Sequence, residues 1–381
     1  MITMHNQIAE RLADTFGIRV GFVDDLIREI PASRENVLFT KLLNLASDSM
    51  SSGAVSEEFL FTDRITGLDL HNMDPYSLFM SVIYGPYLKY YGNQTRSVEL
   101  HHILRGMRNM NDFYLAHPGG LILGMMSDCS RTLETSLAEI AVESLGIRPD
   151  IKITTGSVEG GDIIPAGDFI LVGCGSGTSI EGIRELISSK GLSGEIAVVH
   201  EPVHPLVGTR DTLTSGHLDA YINFPREGLV VGDPMLLRSA QVEVFHTESP
   251  GDSLSDNPGN LLEYIRSKSL DLIELNTIEQ LCNASGFLCV YGGECIAEDL
   301  NEKSPLILKN IRDQSVGCEG KYAALLNRAE HDYRQMRYDG SRMMDREFLS
   351  DYGVEFMYIS GEGAVVDAGG VRRCVGIISR R

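Results

Sequence analysis

From residue 113 onward, short β-like runs and helical runs alternate in one order that returns: two strands, a helix, then a strand. "GLILGMM" precedes the helical "TLETSLAEIAVESLG". "IKITTGSVEGGDIIPAGDFILVGCG" reads as hairpin strands, followed by the helix "SIEGIRELISSKG" and the strand "EIAVVHEP". Further strands are expected in "LDAYINFPREGLVVGDP", "VEVFHTE", "LDLIELN", "GFLCVYGGECIAE" and "VEFMYIS", and a last one in "RRCVGIIS". Apolar residues at three and four spacing mark the helices, and turn residues bound the strands. The unit is clearest over 169–202 and again over 284–358, where it carries a long insertion. A recurring ββαβ unit with no linker-like composition between copies predicts a repeat architecture within one α/β domain, not a single doubly wound sheet.

Upstream, residues 8–30 read as a helix, a short strand and a second helix. Residues from about 31 to 112 read as mostly helical, as in "PYSLFMSVIYGPYLKYYG" and "SVELHHILRGMRNM", with a Ser/Gly-rich loop at "ASDSMSSGAVS". The expectation is one catalytic domain over residues 1–381 with a helical insertion at about 31–112.

No apolar run approaches the roughly 20 residues that span a bilayer. The start "MITMHNQIAERLADTFGIRV" has neither the basic end nor the apolar centre of a secretory signal. Seven cysteines form no CxxC pair, so neither a zinc site nor a disulfide framework is expected, and free thiols read as cytoplasmic. No metal, cofactor or membrane is called for. Acidic residues number 53 against 33 basic ones, a formal charge of -20, which argues against nucleic acid and suits a cationic small molecule. A homo-oligomer is compatible with all of this.

"FILVGCGSGTSIEGIREL" joins a strand to a helix through Gly173, Gly175 and Gly177. Alone it reads either as a cofactor loop of the methyltransferase kind or as a tight turn. It departs from GxGxxG, and the nearest strand-end acid, Glu201, lies well beyond the about 20-residue spacing of a ribose-binding acid.

Three separated pieces carry chemistry. "VEGGDII" places Glu159 and Asp162 around two glycines at a strand end. "SGHLDAYINF" places His217 and Asp219 two apart, on one face if the segment is extended. "DAGGVRRCVGIISRR" places Cys374 behind two arginines. Each has a plain reading: solvated turn acids, a scaffold histidine, a packed thiol. Together, a thiol, an imidazole and several carboxylates make a better case for catalysis than any one of them alone.

In that order, EGGD, then HLD, then a C-terminal GGVRRC, the chain resembles the guanidino-group modifying enzymes. The resemblance is closest to the arginine deiminases, with amidinotransferases as relatives. It extends to "NDFYLAHPGGLILG", "DPYSLFMSVIYGPYL" and "LSDYGVEFMYISGEGAVVDAGGVRRCVGI". The resemblance implies the pentein fold, a five-bladed α/β propeller with pseudo-fivefold symmetry. It implies a hydrolase whose substrate is a cationic guanidino compound. Cys374 would be the nucleophile and His217 the general acid and base. Glu159 would orient the imidazole, and Asp219 and Asp162 would face the guanidinium. Arg372 and Arg373 would either lower the thiol pKa or lie along the surface. Asn111 and Arg131 match groups near the substrate carboxylate.

Three positions depart from the family. His117, before Pro118, stands where the family has its second guanidinium carboxylate, and Ala116 stands where that segment has Arg. Gly177 stands where the deiminases carry a carboxylate-binding Arg. Asp128 could compensate for the first loss. The family's opening strand also has no counterpart. These changes suggest arginine bound differently or another guanidine or amidine. An amine acceptor, as in an amidinotransferase, and a silent ligand-binding relative are the alternatives.

Overall fold

The computed structural model describes residues 4–51, 70–91, 95–100, 104, 106–247, 254–255, 259–317, 320–360 and 370–378. By internal contacts the chain separates into two compact units. The larger comprises Met1–Arg19, Asn109–Ser127 and Ile151–Arg381; the smaller comprises Val20–Arg108 and Asp128–Asp150. Among the described residues no helix is long and apolar enough to cross a membrane.

The architecture is mixed α/β, and its strands form four copies of one module. In each, an antiparallel hairpin is followed by helix and then by a strand that returns parallel to the hairpin's second strand. The first is Tyr114–His117 with Gly120–Leu123 and Ile151–Lys152. The second is Ile163–Pro165 with Phe169–Cys174 and Glu195–His200. The third is Ile222–Arg226 with Leu229–Gly232 and Asp271–Glu274. The fourth is Leu288–Tyr291 with Glu294–Glu298 and Glu355–Ile359. Strand Val242–His246 adds antiparallel to the outer edge of the second module. Central strands such as Phe169–Cys174 and Leu229–Gly232 are nearly continuous apolar runs, as strands covered on both faces must be.

Polar side chains hold successive modules in register. Asn223 Nδ2 donates to the carbonyls of Ser285 and Phe287 at 2.7 and 2.9 Å, tying the third module to the entry of the fourth. Gln280 Nε2 donates to the carbonyls of Thr214 and Ala220. Both side chains are buried, so these bonds replace water that cannot reach the backbone there.

Three modules are entered through a single 3-10 turn: Met110–Asp112, Gly160–Asp162 and Leu218–Ala220. The turns pack on one another in sequence, and the short helix Gly370–Cys374 packs on the first. The expected last strand in "RRCVGIIS" is therefore replaced at its start by a helical turn. Gly370 opens that turn at φ +53, and a Cβ there would lie 2.5 Å from the Gly286 carbonyl, so only glycine fits.

The smaller unit has its own core, built by Ile27, Leu42, Leu78, Val82 and Leu137 from helices Val23–Arg28, Val37–Ser51, Pro75–Tyr84 and Thr132–Ser144. Three local expectations change. Helix Pro75–Tyr84 stops at Gly85, whose left-handed φ of 47° ends it, and a hairpin Pro86–Tyr91 with Thr95–Leu100 follows where helix was expected. The Ser-rich stretch is helical through Ser51, with the rest of that loop outside the described residues. Residues 17–22 form no strand.

Gly160 tests the turn packing. A Cβ there would meet the Asn111 carbonyl at 1.9 Å. Gly160→Ala should lower stability by about 2 kcal/mol or more in denaturant unfolding. Gly161→Ala, whose nearest neighbour would be the Asp219 carboxylate at 3.3 Å, should cost less.

Candidate active site

The turns bring four carboxylates and two cations into one buried cluster. His217 sits in extended conformation just before turn Leu218–Ala220. The pair His217 and Asp219 is thus not on a strand, yet both side chains border Gly161, whose missing Cβ leaves them room. The imidazole lies between two carboxylates: Glu159 Oε2 is 3.4 Å from Nε2 and Asp162 Oδ2 is 3.4 Å from Nδ1. These are ion-pair contacts, longer than tight hydrogen bonds.

Each carboxylate is itself fixed. Glu159 Oε1 accepts from Ser127 N at 3.0 Å and Ser127 Oγ at 2.9 Å. Asp162 accepts from Thr178 Oγ1 at 2.8 Å and from the Leu218 amide at 3.0 Å. Burial opposes ionisation of Asp162, but His217 and these hydrogen bonds hold its pKa below the ordinary carboxylate value. For His217, burial and nearby Arg373 both oppose protonation. Asp162 and Asp112 outweigh them and hold the imidazole pKa up at about 9.

Asp219 is almost fully buried and already holds a guanidinium. Its Oδ1 accepts from Arg373 Nε at 3.1 Å and Nη2 at 2.9 Å. Arg372 donates through Nη2 to the Ile163 carbonyl at 2.8 Å, with its Nε 3.8 Å from Asp219 Oδ2. Neither arginine lies along the surface. Burial opposes the Arg373 charge, yet Asp219 and Asp112 raise its pKa above the usual guanidinium value.

Cys374 ends the short helix. It packs in an apolar cluster with Met4, Ile8, Leu12, Leu288 and Val371, and its Sγ contacts the Gly370 carbonyl at 3.6 Å. Three other thiols, Cys174, Cys282 and Cys295, are pushed up in pKa by burial.

The sequence model for arginine deiminase matches residues 4–321. The chain belongs to the arginine deiminase family. The match ends before Gly370–Cys374. An arginine deiminase of Halobacterium salinarum is 24% identical over 48% of this chain and 49% of its own length, so the chain spans about half of the curated relative it matches. Similar solved structures include a dimethylarginine dimethylaminohydrolase of Pseudomonas aeruginosa, a mutant complexed with citrulline. It has 16% identity over 71% of this chain and 76% of that chain, with a TM-score of 0.42. Another is the N-terminal domain of ArgZ, an arginine dihydrolase from cyanobacteria, bound to product. It has 12% identity over 71% of this chain and 74% of that chain, with a TM-score of 0.46.

In this member of the arginine deiminase family the glycine loop is closely bordered by the chain's own side chains, around a small pocket. A Cβ on Gly173 would meet Asp162 at 2.5 Å, one on Gly175 would meet Glu201 at 2.5 Å, and one on Gly177 would meet His217 at 2.8 Å. Glu201 accepts from the Ser176 amide at 2.9 Å, so the acid weighed as a ribose ligand braces the loop instead. These contacts give the glycines of the tight turn a packing reason.

Other expected residues are placed elsewhere. Asn111 is buried beside Arg372 and lines a small pocket with it. His117 ends its strand with Nδ1 accepting from the Gly119 amide at 3.3 Å, within its own hairpin turn. Arg131 and Asp128 belong to the smaller unit. Arg131 Nε donates to Glu134 Oε2 at 2.8 Å, and Asp128 caps the turn Cys129–Arg131. Two residues escaped the sequence reading. Ser127 fixes Glu159, and Asp112 offers an oxygen in a group with Glu159 and His217 whose atoms all lie within 4.8 Å.

The His217 pKa gives a signed pH dependence. The folded value, about 9, exceeds the ordinary 6.5, so the stability it contributes is complete below about pH 6.5 and is lost as pH rises through 9. Denaturant midpoints should fall across that window, by up to roughly 3 kcal/mol in stability. His217→Gln should flatten that part of the profile.

Proposed function

We propose that the chain is a thiol-dependent hydrolase acting on a guanidino compound, arginine or an analogue, through a covalent amidino intermediate on Cys374 with release of ammonia. Membership of the arginine deiminase family supports the chemical class. The observation that carries the reading is His217 held between Glu159 and Asp162, beside an Asp219 that already binds a guanidinium.

A guanidinium carbon is electrophilic but delocalised, so a soft nucleophile suits it. The Cys374 thiolate attacks that carbon and forms a C–S bond. The C–N bond to the departing nitrogen breaks, and His217 donates the proton that makes ammonia the leaving group. With its pKa near 9, His217 starts as the acid. Having given up its proton, it takes one from water, which adds to the amidino carbon. The C–S bond breaks and a ureido product leaves. Glu159, anchored by Ser127, keeps the ring in orientation.

The reading sets two requirements. The incoming guanidinium takes the place of Arg373 on Asp219, and the turn Gly370–Cys374 swings the thiol out of its apolar cluster. It also takes the four modules as blades of a five-bladed propeller forming one catalytic domain in the cytoplasm.

The test is ammonia release across a panel of guanidines and amidines, with Cys374→Ala expected to abolish it. A mechanism-based amidine should label Cys374 alone among the seven cysteines, read by mass spectrometry of peptides. Labelling at another cysteine, or turnover that survives Cys374→Ala, overturns the nucleophile assignment. Turnover only with an added amine would assign transfer in place of hydrolysis.

A further inference from the structure

We infer that Asp112, rather than His117, supplies the second carboxylate of a guanidinium pocket whose first carboxylate is Asp219. This deepens the proposed function and rests on it for the role of the pocket. The position of Asp112 and the seat of a guanidinium rest on geometry alone.

Arg373 works as a built-in reference ligand. Its side chain is 12% exposed, and two of its N–H groups converge on one oxygen of Asp219. The other oxygen, Asp219 Oδ2, is buried without a hydrogen bond. A planar cation with five N–H donors therefore fits here but spends only two of them on Asp219. A second carboxylate on another edge is what such a cation calls for.

Asp112 meets that need by position. It is 1% exposed and is the last residue of turn Met110–Asp112. That turn packs directly on Gly370–Cys374, which carries Arg373, and on Gly160–Asp162. One Asp112 oxygen lies within 4.8 Å of Glu159 and His217 ligand atoms. Its charge reaches both cations, raising the pKa of His217 and of Arg373.

His117 does not meet it. Strand Tyr114–His117 runs away from the turn, and four residues of strand carry His117 about 10 Å along it. There the ring closes on Gly119, whose amide donates to Nδ1 at 3.3 Å. Moving the carboxylate from the far end of the strand to the turn before it keeps two negative groups around the guanidinium. It shifts the angle at which the second one approaches.

The experiment vacates the seat and refills it. In the full chain carrying Arg373→Ala, guanidinium chloride at concentrations on the order of 10 mM should raise the thermal midpoint and bind by calorimetry. Methylammonium chloride at equal ionic strength should do neither, since it lacks the planar fork. Adding Asp112→Asn should weaken guanidinium binding about tenfold or more, whereas adding His117→Ala should change it less than twofold. Equal affinity in the Asp112→Asn protein, or a loss confined to His117→Ala, overturns the inference.

Should Arg373→Ala fail to fold, the readout is the His217 pKa by NMR in chains that keep Arg373. Asp112→Asn should lower it from about 9, and an unchanged value overturns the inference. Neither measurement needs turnover. Failure here leaves the Cys374 test standing, and absence of ammonia release leaves this one standing.

Discussion

A guanidinium and an imidazolium buried among carboxylates set the terms for the rest of this structure. Removing such ions from water costs several kcal/mol each, which close partners and hydrogen bonds to the carboxylate oxygens offset. Here Asp162 is held by Thr178 and the Leu218 amide, Glu159 by Ser127, and Arg373 by Asp219. The carboxylates come from the segments that enter three successive modules, so rotating any of these three would pull charges of the cluster apart. The glycines follow from the same demand. Gly161, Gly173 and Gly177 stand where a Cβ would crowd Asp219, Asp162 or His217. A glycine-rich loop that looks like a cofactor cradle is here the space an ion-pair cluster occupies.

Much of this was legible in the sequence because it obeys strong local rules. Hairpins and helices announce themselves through period-two and period-3.6 patterns, and the units expected over 169–202 and 284–358 stand close to two of the four modules. Glu159, Asp162, His217 and Asp219 were legible as motifs, and the turns bring them together. What failed was set by contacts the apolar spacing does not encode. The segments Pro86–Tyr91 and Thr95–Leu100 read as helix, yet they pair with each other as strands once Gly85 has ended the helix before them. The turn at Gly370 depends on the Gly286 backbone, 84 residues earlier, which no local pattern encodes.

Asp112 and Arg373 were hidden for a different reason. A lone acid between Asn111 and Phe113 looks like any residue at the start of a strand, and the adjacent Arg372 and Arg373 read either as activators of the thiol or as surface charges. Only the packing of turn Met110–Asp112 on Gly370–Cys374 turns them into members of one charge cluster. Residue identity showed the chemistry available; the turn contacts showed which charges face one another.

Discrimination among substrates follows from the charge arrangement. Asp219 already carries Arg373, so under the proposed function a guanidino substrate would add no new ion pair to the protein but would exchange one guanidinium for another. An exchange of like for like yields little net electrostatic gain, so selectivity has to come from contacts beyond the guanidinium. Gly177 cannot provide them, since the His217 ring fills the space beside it. A small pocket lined by Gly160 has Asn111, Ala116 and Arg372 in its wall, groups of a different kind from the carboxylates around His217. On that reading the guanidinium end of the site would be generic, and the character of the tail would be read where Asn111 and Arg372 line one pocket.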